Sequence, residues 1–334
     1  MKSTLAFAAF LLCNAATAQQ CGTYNGPIFR DGFGPPDVSF VEEPAVTLPP
    51  ANAALALTIT APDEGAVVGT RTVQVYGTYA GPPATGVAIN RSAAVQTANE
   101  FISLVVLKPG SNVITVKATK LTGETETQTR TVTYDPQLAP DAEFQIEIQG
   151  EHAPIRPKFT VTPKTGLTVT QLQIDYNGDG TIDLNAPTVP SNLRFEYRTA
   201  GFFNATATVT LDDGDPNTVP VTKVIERKFA VLPLPLTRAI VCHVFYRMKE
   251  RLAANDIPDA VKSVNTELRS EVQQDFEALP STTLGAERLG TVVDGTLGIK
   301  ISTLTLAVTF RNNPTHASVG LERSTDGVWR ITDM

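Results

Sequence analysis

The sequence predicts a multidomain protein in which two mainly antiparallel β-sandwiches precede a small α+β domain. Its 334 residues exceed the length of one ordinary domain. Short runs of alternating apolar residues, separated by turns rich in Gly and Pro, fill residues 53–232 and are typical of sandwiches. From residue 236 the apolar spacing becomes helical and then returns to alternation, which indicates a mixed domain.

The first 18 residues have the composition of a secretory signal peptide. Lys2 supplies the positive charge, Leu5–Leu12 the apolar run, and Ala16-Thr17-Ala18 the small residues of a cleavage site. The apolar run is much shorter than the ~20 residues of a membrane-spanning helix. We therefore expect cleavage after Ala18 and an exported protein without a membrane span, located in the periplasm, on the cell surface or in the medium.

Residues 19–52 form a predicted linker, because they are rich in Pro and Gly and show no sustained apolar period.

The cysteines leave two interpretations open. Cys13 departs with the signal peptide, so Cys21 and Cys242 remain in the mature chain. In an oxidising compartment these two could pair and tie the N-terminus to the last domain. Alternatively, Cys242 is a small buried apolar residue on a helix, and two distant cysteines do not amount to a disulfide framework.

Residues 53–136 predict the first sandwich. Leu55, Leu57 and Ile59 alternate, and turn signals such as Pro62-Asp63-Glu64-Gly65 separate the runs that follow. The segments Ala61–Gly65 and Leu107–Val116 resemble the bacterial immunoglobulin-like domains of the glucodextranase-B type. That resemblance implies a spacer or a binding module, and it transfers a fold without a function.

Residues 141–232 predict the second sandwich, with alternation at Phe144 and Ile146 and a long apolar run from Phe203 to Leu211. The segment Phe195-Glu196-Tyr197-Arg198-Thr199-Ala200-Gly201-Phe202-Phe203 resembles the aromatic–turn–glycine–strand pattern of the PKD family. The resemblance implies an extracellular sandwich domain.

An acidic loop inside this second region predicts a metal site. Side-chain oxygens occupy loop positions 1, 3, 5 and 9. Glycine occupies position 6, and position 7 would contribute a backbone carbonyl, as in the first three quarters of an EF-hand loop. The predicted calcium ligands are Asp175, Asn177, Asp179, Thr181 and Asp183. The ion would be structural, because the loop connects two strands of a sandwich.

Two features of this loop keep open the alternative that it is a tight turn without a bound metal. Position 12 is Ala186 where an EF-hand has a bidentate Glu, so Glu196 or Asp213 would have to complete the ligand set. Asn-Gly and Asp-Gly pairs are also strong turn formers without any metal.

Residues 236–334 predict the α+β domain. One helical stripe runs from Ile240 to Leu252, and a second helix, with apolar residues from Val261 to Phe276, is stopped by Pro280. Strands follow, with a hairpin turn at Asp326-Gly327. The segments Arg247–Ile257 and Ser324–Ile331 resemble NTF2-like domains. That fold hosts both enzymes and binding modules, so the resemblance implies no particular activity.

No catalytic residues are predicted. The three histidines, His152, His243 and His316, are scattered, and none has a nucleophile at a suitable spacing. Carboxylates that could line the last domain are Glu250, Asp256, Asp259 and Glu267. Asp256 and Asp259 are equally well placed to cap the second helix.

The sequence thus favours an exported, non-enzymatic binding or structural protein whose partner is a protein or glycan of the bacterial envelope. A net charge of −7 without a basic cluster gives no support to nucleic-acid binding. One alternative is a carbohydrate-binding or accessory protein of a polysaccharide-degrading system. A second alternative is hydrolase or isomerase activity in the last domain.

Overall fold

The computed structural model describes residues 46–148, 152–311 and 313–334, and it is mostly β-sheet with a small helical region near the C-terminus. The predicted signal peptide and the linker as far as residue 45 lie outside the described residues. Within the described ranges, every helix is too short or too polar to cross a lipid bilayer.

The first domain is a sandwich of two sheets. Its strands are β1 (Ala56–Ala61), β2 (Ala66–Val68), β3 (Thr72–Ala80), β4 (Gly86–Ile89), β5 (Ser92–Ala93), β6 (Val95–Gln96), β7 (Glu100–Val106), β8 (Gly110–Thr119) and β9 (Thr125–Tyr134). The sheet orders are β1-β3-β7-β6 and β2-β9-β8-β4-β5, and β2–β9 is a parallel pair. The predicted alternation is confirmed, because Leu57 and Ile59 of β1 point into the core with Phe101 and Ile114.

The second domain is also a sandwich. Its strands are β10 (Ala142–Glu147), β11 (Lys158–Pro163), β12 (Thr168–Asp175), β13 (Leu184–Ala186), β14 (Leu193–Arg194), β15 (Gly201–Asp212) and β16 (Val221–Val231). The sheet orders are β10-β11-β14 and β13-β12-β15-β16, with antiparallel pairing. Phe159 stacks on Phe144 within its own sheet, with ring centroids 5.8 Å apart. It also contacts Phe229 of the opposite sheet, at a centroid distance of 6.4 Å, and so links the two sheets.

The third domain places helices against one antiparallel sheet. Its elements are α1 (Leu234–Ala253), α2 (Ile257–Ala260), a 3-10 turn (Val261–Ser263), α3 (Arg269–Glu277), α4 (Thr282–Arg288), β17 (Thr291–Thr296), β18 (Ile301–Phe310), β19 (Asn313–Arg323) and β20 (Trp329–Asp333). The sheet order is β17-β18-β19-β20. Phe245 and Met248 of α1 belong to one apolar cluster with Leu304 and Leu321 of the sheet.

The prediction of one continuous second helix was wrong. Val264 has an extended backbone (φ −95°, ψ 150°) and forms a parallel bridge with Ile331, and the Asn265 amide donates to the Ile331 carbonyl at 2.8 Å. This pairing interrupts the helix although the apolar spacing continues through it. Pro280 does end helical structure, but α4 follows at once, capped by the Ser281 hydroxyl.

Cys242 lies on α1, is 2% exposed and is disulfide-bonded. The interpretation of this residue as a free buried thiol was therefore wrong. The described ranges contain no second cysteine.

The first and third domains share a close junction. Ala84 and Leu121 of the first domain belong to the apolar core of the third. A Cβ atom on Gly86 would lie 2.2 Å from the carbonyl carbon of Gly327, so the two backbones touch directly. Gly327 has a positive φ of 83° and forms the predicted turn between β19 and β20.

The first and second domains are joined at the edge of a sheet. Gln74 of β3 donates from Nε2 to the Lys228 carbonyl at 2.6 Å, and its Oε1 accepts from the Lys228 amide at 3.1 Å. Lys228 lies on β16, an edge strand, and its ammonium group is 4.4 Å from the centroid of the Tyr76 ring. One residue of the edge strand is thus paired by a side chain from the neighbouring domain.

Gly86→Ala tests the junction between the first and third domains. The added methyl must push two backbones apart, so we expect the free energy of unfolding to fall by about 2–3 kcal/mol in chemical denaturation. Gly123→Ala is the matched control. Nothing lies within 4 Å of that position and φ is 100°, so only backbone strain of about 1 kcal/mol is expected. Equal losses in the two variants would contradict a tight junction.

Candidate functional site

The acidic loop connects β12 to β13, two neighbouring strands of one sheet. Ile174 pairs with Leu184 at its base, and the Asp183 amide donates to the Ile174 carbonyl at 2.9 Å. Gly178 and Gly180 take positive φ values of 78° and 85°, which only glycine adopts at little cost. The loop is therefore a closed turn built on a strand pair.

The carboxylates at the two ends of the loop bind its backbone. Asp175 is 7% exposed, and its two oxygens accept from the amides of Gly178 at 2.7 Å and Gly180 at 2.8 Å. Asp183 accepts from the Tyr176 amide at 2.8 Å. These hydrogen bonds satisfy amides that the turn leaves without a strand partner.

The remaining predicted ligands lie at the exposed tip. Asn177 Oδ1 accepts from the Asp179 amide at 3.1 Å, and Asp179 Oδ1 accepts from the Thr181 amide at 2.7 Å. The hydrogen bond from the Thr181 amide, followed by one from the Asn177 side chain, lowers the pKa of Asp179 below its usual value. The structure thus uses the side chains of Asn177 and Asp179 as turn-forming acceptors, while Thr181 contributes an amide donor.

The calcium site stays a prediction. Across the residues that the structure describes, no three His, Cys, Asp or Glu side chains are grouped so that they could hold a metal ion. The two acids suggested for the missing position have partners of their own: Glu196 pairs with Arg198 at 3.1 Å, and Asp213 accepts from the Thr218 hydroxyl at 2.5 Å.

Two tyrosines fix the loop to the core, and their role was not predicted. Tyr176 is buried between Phe159 and Phe195, with ring centroids 4.7 and 4.9 Å away. The Tyr197 hydroxyl donates to the Tyr176 carbonyl at 2.6 Å. Burial, and then the charge of Asp183, raises the pKa of Tyr176 to about 12, and burial likewise raises that of Tyr197. Both hydroxyls therefore stay protonated in ordinary conditions.

A second candidate site, missed by the sequence analysis, is a cavity of about 40 Å³ where all three domains meet. Its lining residues include Tyr79, Gln96 and Thr97 from the first domain, Leu232 from the second, and Thr237, Arg323 and Trp329 from the third. The volume is enough for a few water molecules. No sequence window contains these residues together, so no local motif could reveal them.

Arg323 crosses the junction beside this cavity. Its guanidinium donates to the Ala94 carbonyl at 2.6 Å, to Gln96 Oε1, and to the Gly327 carbonyl at 3.0 Å. Burial lowers the pKa of Arg323 to about 10, but the group remains a cation at neutral pH. Carbonyl and amide dipoles therefore solvate a charge inside the contact between the first and third domains.

His152 lies between the second and third domains. It forms a bridge with Leu232, is 1% exposed, and places Nε2 3.1 Å from the Thr237 hydroxyl. Burial lowers the pKa of His152 to about 4. On α1, burial and then the charge of Arg247 lower the pKa of His243 to about 4 as well. Both histidines are neutral at pH 7, a state set by burial and not by a catalytic partner.

Two of the four carboxylates considered for catalysis, Asp256 and Asp259, have partners within the third domain. Asp259 contacts three cations, Arg247 at 2.6 Å, Arg251 at 3.1 Å and Lys262 at 3.1 Å. Asp256 caps α2, because its side chain accepts from the Asp259 amide, which agrees with the predicted capping role. A cysteine–histidine pair is excluded, since Cys242 is disulfide-bonded.

Comparison with known proteins identifies one region. A family model described as glucodextranase, domain B, matches residues 56–136. No curated protein matches the chain.

Among solved structures, dimeric latent PorU from Porphyromonas gingivalis shares 9% identity, covers 54% of this chain and 20% of its own, and has a TM-score of 0.29. The fibronectin(III)-like modules of Clostridium thermocellum CbhA share 11% identity over 53% of this chain and 95% of theirs, with a TM-score of 0.20. Domains 5–6 of the S-layer protein SbsC share 11% over 55% of this chain and 100% of theirs, with a TM-score of 0.23.

TM-scores this low support no inference about this chain. The family match at residues 56–136 is to an immunoglobulin-like domain, which accords with a modular structural or binding protein.

The lowered pKa values of His152 and His243 predict how stability depends on pH. Their folded pKa values lie below the unfolded value of about 6.5, so the unfolded chain binds protons first as the pH falls. The contribution of the neutral histidines to the free energy of unfolding is therefore fully present above pH 6.5. It is lost as the pH falls from about 6.5 to 4, by about 3 kcal/mol for each histidine.

Urea denaturation at pH 7, 5 and 4 measures this loss, and His152→Gln and His243→Gln should each reduce it. His316→Gln, at an exposed position, is the control and should leave the profile unchanged. A wild-type stability that is flat from pH 7 to pH 4 would contradict the prediction.

Proposed function

We propose that the protein is an exported, non-enzymatic binding or structural protein of a bacterial envelope or secretome. Its sandwiches would form a base that holds an NTF2-like third domain in a fixed position for binding a partner protein. The junction between the first and third domains is the observation that carries this proposal. Ala84 and Leu121 complete the core of the third domain, and Arg323 binds backbone across the contact.

The architecture of the third domain supports an NTF2-like fold. Helices precede a four-stranded antiparallel sheet, α1 packs on that sheet, and the segment at Val264 runs parallel to β20. Phe245, Met248 and Leu304 fill the space between α1 and the sheet. A packed apolar interior favours a binding or structural domain over a hydrolase or isomerase, which needs an open pocket with converging polar groups.

A carbohydrate-associated role is the second candidate, and the glucodextranase domain B match at residues 56–136 favours it. Sugar binding commonly relies on exposed aromatic platforms. Trp329, the one tryptophan in the chain, is 6% exposed and lies in the core of the third domain. The aromatic rings of the second domain stack mainly on one another inside its sandwich.

Photo-crosslinking in the producing cell tests the first candidate. A crosslinking residue replaces Phe310, an exposed position of β18, and a second variant carries it at the exposed Val113 of the first domain as the matched control. We expect one protein to be captured from Phe310 and none from Val113. Retention of the purified protein on a glycan array, without capture at Phe310, would contradict the proposal and support the carbohydrate role.

Calcium binding is tested by melting the full chain at rising free calcium, with a chelator as reference. An ion held only by the folded state must raise the melting temperature, and the incomplete ligand set predicts an effect at about 10⁻⁴–10⁻³ M. Asp179→Ala is the variant of choice, because its side chain is exposed and contacts only the loop tip. No shift at millimolar calcium, or an equal shift in the variant, would contradict a site at this loop.

A further inference from the structure

We propose that the cavity where the three domains meet binds one small monovalent anion, with chloride as the simplest example, and that Arg323 holds this anion. The cavity has a volume of about 40 Å³, and Arg323 is one of its lining residues. A single water molecule needs roughly 10–15 Å³. A halide ion therefore fits the space, whereas a sugar or a nucleotide is too large for it.

The guanidinium of Arg323 has hydrogen-bonding capacity left over. Its Nε donates to the Gly327 carbonyl at 3.0 Å, and its Nη2 donates to the Ala94 carbonyl at 2.6 Å and to Gln96 Oε1. Its Nη1 has no acceptor among the residues that the structure describes. Because each terminal nitrogen of a guanidinium carries two N–H groups, a cation that lines the cavity has two donors available for a ligand.

The positive charge of Arg323 also lacks a carboxylate of its own. Asp326 acts on Arg323 through its charge, but both of its oxygens accept from Arg330, at 2.8 and 2.7 Å. Within the described ranges, neither Arg323 nor Arg269 forms an ion pair. Tyr79 cannot supply the negative charge, because burial raises the pKa of its hydroxyl. An enclosed charge without a partner is unfavourable, and an anion in the cavity would compensate it.

The start of α1 adds positive potential on another side of the cavity. Pro233, Leu236 and Thr237, which belong to the beginning of this 20-residue helix, are lining residues. No side chain caps the helix, and its first turn contains no acidic residue. The free amides and the dipole of a helix N-terminus favour negative charge. The helix thus reinforces the site that Arg323 defines.

The composition of the wall sets the charge and the size of the ligand. Among the described residues that line the cavity, Arg323 is the one with a charge, and none is an Asp or a Glu. A single cation is neutralised by one negative charge, so a divalent anion would itself be left partly uncompensated. Leu232, Ile240 and Trp329 make much of the wall apolar. Such a wall favours weakly hydrated ions, such as the heavier halides, over strongly hydrated ones.

The fluorescence of Trp329 reports on this site. Trp329 is the one tryptophan of the chain, lines the cavity and is 6% exposed. The full protein is titrated with sodium iodide at constant ionic strength, balanced with sodium gluconate, whose anion is too large for the cavity. We expect iodide to quench the fluorescence saturably and chloride to reverse the quenching. The neutral quencher acrylamide should quench only weakly and in proportion to its concentration.

Quenching by iodide that is weak, linear and unaffected by chloride would overturn the proposal and leave the cavity to water. This outcome is read from the wild-type protein, so it does not depend on the folding of any variant.

A pair of variants tests the role of Arg323. Arg323→Gln removes the charge, and we expect it to abolish the saturable, chloride-reversible quenching. Arg288→Gln is the matched control, because it removes the same charge at an exposed position of the same domain, and it should behave as wild type. Chloride-reversible quenching that persists in Arg323→Gln would overturn the assignment of this residue.

A crystal grown in sodium bromide locates the anion directly. We expect an anomalous bromide peak inside the cavity, in contact with the Arg323 guanidinium. Bromide peaks confined to the protein surface would mean an adventitious ion only and would overturn the proposal.

Discussion

Three glutamine side chains pair with strand backbone, and the arrangement of sheets and domains depends on them. A primary amide carries a donor and an acceptor, as a peptide group does. It can therefore pair with the backbone N–H and C=O groups that an edge strand leaves without a partner strand. Gln128 joins the two sheets of the first sandwich. Gln96 pairs with the backbone of Thr85 and Val87 at β4 and also accepts from Arg323. Gln74 reaches β16 of the second sandwich. An unpaired buried peptide group costs about 1–3 kcal/mol, so each pairing resists separation of the surfaces it joins.

These pairings have consequences for function. A protein whose domains are connected only by flexible linkers samples many arrangements, whereas direct backbone contact at Gly86 and a buried charge at Arg323 hold one arrangement. The acidic loop contributes in a different way. Asp175 and Asp183 fold the β12–β13 turn onto Tyr176, which makes the loop part of the scaffold.

The fold was largely predictable, because alternation at residues such as Leu57 and Ile59 is a local signal that core burial enforces. The interruption at Val264 was not, since its cause is a strand partner, Ile331, which lies far away in sequence. The acidic loop does connect two strands, as its position between apolar runs predicted. Spacing does not reveal, however, that the oxygens of Asp175 are occupied by backbone amides, because an Asx turn and a calcium loop use the same residues.

The contacts between domains could not be predicted from the sequence, and the reason is physical. Gln74 and Lys228 are separated by 154 positions, and Arg323 and Ala94 by 229. Gln74, Lys228 and Arg323 belong to residue types that are usually solvated at a protein surface. A polar side chain that binds backbone in another domain has no periodicity by which it could be recognised. Only the packed arrangement shows that these polar residues are contacts.

The most direct test of this arrangement is the distance between spin labels in pulsed electron resonance. Labels at three exposed positions, Val113, Val224 and Leu284, report on the first, second and third domains. One narrow distance is predicted for each pair, and Gln74→Ala should broaden the Val113–Val224 distance while leaving the Val113–Leu284 distance narrow. Broad distances in the unchanged protein would contradict a fixed arrangement of the three domains.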